Sequence, residues 1–114
     1  MLLAVSRAFG DGHFKLKRPH IVTAEPEVTT TNLALGEDHF FILACDGLWD
    51  VFSDDEAVSM VQECFRVDSA TKLRVTDVSQ TMADRAAQAL VTEALDRGSC
   101  DNISVVVVRI VPPA

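Results

Sequence analysis

The sequence predicts an α+β fold, a small β-sheet with two helices packed on one face, and three observations carry that expectation. Two apolar runs, His39-Phe-Phe-Ile-Leu-Ala-Cys45 and Ile103-Ser-Val-Val-Val-Val-Arg-Ile-Val111, have the length and composition of buried strands. Two stretches between them, residues 54–66 and a second one from about Ser79, repeat small and apolar residues at helical spacing. The 114 residues, 48% hydrophobic and 24% charged, suffice for one globular domain at most.

Taken in order, Leu2 to Phe9 reads as a strand that ends at Gly10-Asp-Gly12. Residues 13–20 read as a basic loop carrying Lys15, Lys17 and Arg18 and closed by Pro19, either a solvated surface or a docking patch for phosphoproteins. Ile21 to Thr31 is rich in β-branched residues, and Pro26 restricts it to an edge strand or a bulge. Gly36-Glu-Asp38 marks a turn, so a hairpin joining this segment to the strand at 39–45 is the simplest reading.

Ser53-Asp-Asp-Glu56 has the spacing of a capping box, in which a hydroxyl and a carboxylate each accept from the other residue's backbone N–H. The helix it opens places Ala57, Val58, Val61 and Phe65 on one face. Residues 66–80 are polar, without period, and read as a loop. The second helix turns Ala83, Ala86, Ala87, Leu90, Val91, Ala94 and Leu95 inward, and Gly98 suits the position just past its end. The strand at 103–111 closes the chain against Pro112-Pro113. Because both apolar strands are continuous, both of their faces should be covered, yet two helices cover only one. The sequence therefore implies part of a domain, or a partner on the other face.

The formal net charge of −7 argues against nucleic-acid binding, which calls for a basic footprint. Cys45, Cys64 and Cys100 form no C-x-x-C pair and suit a reduced, cytoplasmic or nuclear protein better than a disulfide framework. Zinc is disfavoured because His13, His20 and His39 share no ligand spacing. No apolar run reaches membrane-spanning length, and Met1-Leu-Leu-Ala-Val5 is too short for a signal-peptide core.

The chemistry concentrates where the apolar runs stop. The first ends in Asp46-Gly-Leu-Trp-Asp50, and the second is preceded by Gly98-Ser-Cys-Asp101-Asn102. A carboxylate delivered at the end of a buried strand needs a cation, a proton or a donor. Two of them from distant parts of one chain are what an oxygen-ligated metal site requires, since hard divalent ions prefer carboxylate and water oxygens.

Four segments in order, Leu3-Ala-Val-Ser-Arg-Ala-Phe-Gly-Asp11, Ala24-Glu-Pro-Glu-Val28, Phe41-Ile-Leu-Ala-Cys-Asp-Gly-Leu-Trp-Asp-Val51 and Gly98-Ser-Cys-Asp-Asn-Ile-Ser-Val105, resemble the C-terminal part of the metal-dependent protein serine/threonine phosphatases, the PPM or type 2C family. The resemblance implies the C-terminal part of an α-β-β-α sandwich with antiparallel sheets, residues 1–114 being a partial domain whose N-terminal half is absent. It implies hydrolysis of phosphoserine and phosphothreonine in proteins by a water activated between two Mn²⁺ or Mg²⁺ ions. Residue by residue, Asp46 and Asp101 match metal ligands, and Asp50 matches a weaker metal position or else is an acid at the start of a helix. Asn102 and Gly47 would support the site, while Arg7 and Asp11 receive no catalytic role. The phosphate-binding arginine and the Asp-Gly-His-Gly segment of the family are missing here, so no residue of this chain is assigned as catalytic and the chain alone is expected to be inactive. Phosphoprotein substrates are the implied partners, with no role for nucleic acid or membrane. The alternative is a non-catalytic pseudophosphatase or protein-interaction module.

Overall fold

The computed structural model describes residues 4–18, 21–34, 37, 39–71 and 81–110, with the side chains of 67–71 set aside. These residues form two compact units, 1–32 and 33–114.

Among the described residues of the first unit the expected strands do not form. Arg7 and Thr23 make one isolated parallel bridge, with Ala8 N–H donating to Thr23 O (3.0 Å) and Thr23 N–H to Ser6 O (3.1 Å). A lone bridge gives β-branched residues no ladder to extend, so residues 24–31 stay irregular. The basic loop is instead a short helix, α1 (Gly12–Lys17), preceded by Asp11 in the left-handed region at φ 51°. Lys15 ties it down by donating to Ala8 O at 2.7 Å. Val22, also of this unit, is buried. Leu2, Leu3, Pro19 and His20 lie outside the described residues.

The second unit contains β1 (His39–Ala44), α2 (Asp46–Trp49), α3 (Asp54–Thr71), α4 (Met82–Asp96) and β2 (Val105–Ile110). Its α+β character and its two helices on one sheet face match the expected class. The strand partner does not match the expected hairpin. β1 pairs antiparallel with β2, in a register running from His39 opposite Ile110 to Ala44 opposite Val105. Gly36 and Asp38 of the expected turn lie outside the described residues, as do residues 72–80 and 111–114.

The capping box forms as the spacing foretold: Ser53 N–H donates to Glu56 Oε2 (2.9 Å) and Glu56 N–H to Ser53 Oγ (3.2 Å). The helix it opens runs to Thr71, past the expected end, because nothing in residues 66–71 breaks it. α4 starts at a second capping box, Thr81 with Asp84, and ends in a reciprocal pair of bonds, Gly98 N–H to Leu95 O (2.9 Å) and Ser99 N–H to Ala94 O (3.0 Å). That is the Schellman pattern, and Gly98 supplies its left-handed residue at φ 87°.

The core joins Leu48, Phe52, Ala57, Val61, Ala86, Leu90, Ala94 and Val107. The alanines of α4 let α3 approach closely, and fully buried Leu90 fills the space between, a side chain whose removal from water contributes about 1.5–3 kcal/mol. Phe65 meets Phe40 edge to face at 5.6 Å, joining α3 to the sheet. Val58 and Leu95 were expected inside and are exposed, because helical spacing marks a wider arc than these two helices bury. On the sheet, Phe40, Ile42, Ala44, Val105 and Val107 pack toward the core. The alternate residues Phe41, Leu43, Val106 and Val108, on the face away from α3 and α4, are 52%, 56%, 57% and 43% exposed.

Candidate metal centre

β1 ends at Ala44, and the next residues turn at once into α2, so Asp46 opens a helical turn. Leu48 and Trp49 both donate to Cys45 O, at 3.1 and 3.4 Å, which forces the backbone to curl at the acid. Trp49 is half-buried against the core, and its indole N–H donates back to Ala44 O at 3.0 Å, pinning the turn to the strand end. Buried Leu48 anchors the other side. Asp46 itself stays exposed, and Asp50, one turn on, is exposed too, with its N–H donating to Asp46 O at 2.8 Å.

Asp101 lies in the loop between the Gly98 cap and β2, also exposed. One of its carboxylate oxygens accepts from Asn102 N–H at 2.7 Å, which curls the loop about its own acid. The two acidic loops meet through their backbones. A Cβ built on Gly47 would collide with the Asn102 carbonyl oxygen and lie 3.3 Å from Ile103 Cγ1. Gly47 is therefore required by close approach, not by an unusual φ. Asp46 and Asp101 are the chain neighbours of that contact, so the fold brings both expected ligands to the same pair of adjoining loops.

Three residues that stitch these loops were not singled out by sequence. Cys45, read as an apolar strand residue, sends its thiol to Asn102 O at 3.1 Å, and its sulfur accepts from Ser104 N–H at 3.2 Å. Ser99 donates its hydroxyl to Gly47 O at 2.6 Å. Arg97, stacked 4.0 Å over the Phe52 ring, donates to Val51 O (3.0 Å) and pairs with Glu93 (2.9 Å) and Glu56 (3.1 Å). The Ser53 N–H, and after it Arg97, hold the Glu56 carboxyl below its ordinary value. A signal for Ser99 existed in its place two residues before Asp101, but its acceptor lies on a distant segment.

Carboxylate oxygens are suitable donors for a hard divalent ion, and Asp46 and Asp101 present them accessibly. Among the described residues, however, no three His, Cys, Asp or Glu side chains converge to hold one. The donor set fits part of a coordination shell, not a whole one.

Comparison with known proteins follows the same residues. The family model described as "Protein phosphatase 2C" matches residues 1–103. "Protein spalten" of Dictyostelium discoideum is 43% identical over 93% of this chain, which spans 10% of that protein. "Probable protein phosphatase 2C 8" of Oryza sativa subsp. japonica is 46% identical over 96% of this chain, which spans 26% of that relative. Among solved structures, one titled "Structure of a C.elegans sex determining protein" superposes with a TM-score of 0.68 at 30% identity, covering 97% of this chain and 24% of the other. The chain thus spans about a quarter of two of these proteins and a tenth of the third. With the match running through both acidic loops and nearly the whole sequence, the chain belongs to the protein phosphatase 2C family.

Proposed function

We propose that this chain is the part of a protein phosphatase 2C domain that supplies Asp46, Asp101 and, more weakly, Asp50 to a pair of Mn²⁺ or Mg²⁺ ions, in an enzyme that hydrolyses phosphoserine and phosphothreonine in proteins. The observation that supports it most is the meeting of the Asp46 and Asp101 loops at the Gly47–Asn102 contact. Bound divalent ions would lower the pKa of an attacking water and neutralise charge on the phosphoryl oxygens. The chain's own residues do the holding: the two aspartates offer anionic oxygens, Asn102 curls its loop around Asp101, and Gly47 allows the loops to touch. Mn²⁺ and Mg²⁺ take about six oxygens, of which these carboxylates supply only some, and the chain carries neither the phosphate-binding arginine nor the Asp-Gly-His-Gly segment that the resemblance implies, so the chain alone is inactive. Cys45, Cys64 and Cys100 form no disulfide among the described residues, which suits a cytoplasmic or nuclear location.

A chimera tests this reading. The matching quarter of the rice relative is replaced by this chain, and Mn²⁺-dependent hydrolysis of a phosphoserine peptide is measured. The expected result is hydrolysis that falls on the order of a hundredfold in Asp46→Asn or Asp101→Asn. Activity equal in the variants would overturn the ligand assignment. The exposed apolar sheet face favours a second reading, a non-catalytic pseudophosphatase or interaction module. A folded but inactive chimera would support it.

A further inference from the structure

We infer that Cys45 and Ser99 are positioning residues that hold the Asp46 and Asp101 loops in one register, so that a single divalent ion meets both carboxylates; the inference rests on the metal reading above. The two side chains cross the gap in opposite directions. From the Asp46 loop, the Cys45 thiol reaches Asn102 O (3.1 Å) and its sulfur receives Ser104 N–H (3.2 Å). From the Asp101 loop, the Ser99 hydroxyl reaches Gly47 O (2.6 Å). Between them Gly47 packs directly on the Asn102 carbonyl. The β-ladder is also carried one step past β1, with Cys45 N–H donating to Ser104 O at 3.2 Å.

Each acid is therefore flanked by ties to the opposite loop: Cys45 precedes Asp46, and Ser99 and Asn102 bracket Asp101. The geometry has a consequence for binding. Carboxylates on independently moving loops must be ordered by the ion, which subtracts from affinity, whereas loops already joined present both at once. Neither side chain needs to touch the ion. Both act through the backbone that carries its ligands, the role usual for groups just outside a coordination shell.

Titration of the ¹⁵N-labelled 114-residue chain with Mn²⁺ tests this, using paramagnetic broadening of the Gly47 and Asn102 amides. In the native sequence both amides should broaden along one isotherm, weak and abolished in Asp46→Asn and Asp101→Asn. In Ser99→Ala and Cys45→Val the midpoints should rise about fivefold and separate from each other, the scale set by one lost hydrogen bond. Ser99→Thr and Cys45→Ser, which keep a donor, should restore a common midpoint. Val61→Ala, a core truncation on α3, should lower the melting temperature without splitting the isotherms. Unchanged midpoints in Ser99→Ala would overturn the positioning role and leave the ligand assignment standing. So would a split produced equally by Val61→Ala. Should Cys45→Val fail to fold, Ser99→Ala decides alone. Broadening that never occurs, or that survives both aspartate substitutions, would overturn the metal reading and this inference with it.

Discussion

Gly47 shows how much one missing side chain can decide. Its Cα lies against the Asn102 carbonyl, a rigid backbone group that cannot swing aside as a flexible side chain would. Gly47→Ala should therefore force the two acidic loops apart and cost about 1–3 kcal/mol of stability, the range for overpacking a tight contact. A urea midpoint unchanged from the native protein would show that the loops yield freely. In the sequence, Gly47 was legible as a supporting residue of the acidic segment but not as a point of contact with another loop, and Cys45 only as one more apolar position in a run. Their partners, Asn102 and Ser104, sit far along the chain, and pairing across that distance leaves no local trace. Asp46 and Asp101 stood out because a charge at the end of an apolar run breaks the pattern; Ser99 breaks none.

At the scale of elements, the helix starts are the most chemically explicit features. Glu56 is held below its ordinary value by the Ser53 N–H and then by Arg97; Asp84 is held low by the Thr81 N–H and then its hydroxyl. In each case the unfolded carboxyl binds a proton more readily than the folded one. Their contribution is whole above the ordinary carboxylate range, near about 4, and is lost as pH falls through the depressed folded values. The urea midpoint should accordingly decline between pH 6 and pH 3, and the decline should be shallower in Asp84→Asn; an equal slope would remove Asp84 from the account. Thr81→Ala should lower stability at neutral pH by about 1 kcal/mol, the usual worth of an N-cap. The boxes and the Gly98 stop could be read from sequence because capping is local chemistry. Strands at 2–9 and 21–31 could not be ruled out that way, since β-branched residues need a partner and Arg7–Thr23 is one bridge, not a ladder. α1 escaped notice for a related reason: a helix of six residues with glycine at its start has little pattern to show.

For the second unit as a whole, the governing fact is the uncovered face of the sheet. Phe41 pairs with Val108 and Leu43 with Val106, giving two exposed cross-strand apolar pairs on the face away from α3 and α4. A two-stranded sheet has little stability by itself, so this one depends on α3 and α4 behind it. The purified chain should bind an apolar fluorescent dye and associate as its concentration rises. Leu43→Thr with Val106→Thr should reduce both, with helical circular dichroism retained, whereas equal dye binding in the double variant would place the apolar surface elsewhere. The exposure of these residues was foreshadowed in the sequence, where continuous strands call for two buried faces and the two long helices cover one. What could not be read was which strand β1 would choose, because antiparallel pairing with β2 requires the intervening helices to be in place.

The antiparallel ladder between β1 and β2 has a kinetic corollary. It closes a loop containing both long helices, the slowest kind of event in the assembly of a small domain. Until that closure, Asp46 and Asp101 belong to separate pieces of chain, and no cation could bridge them. If the ion proposed above binds, its capture by the newly made polypeptide would act as a timer, reporting that this long-range closure has taken place.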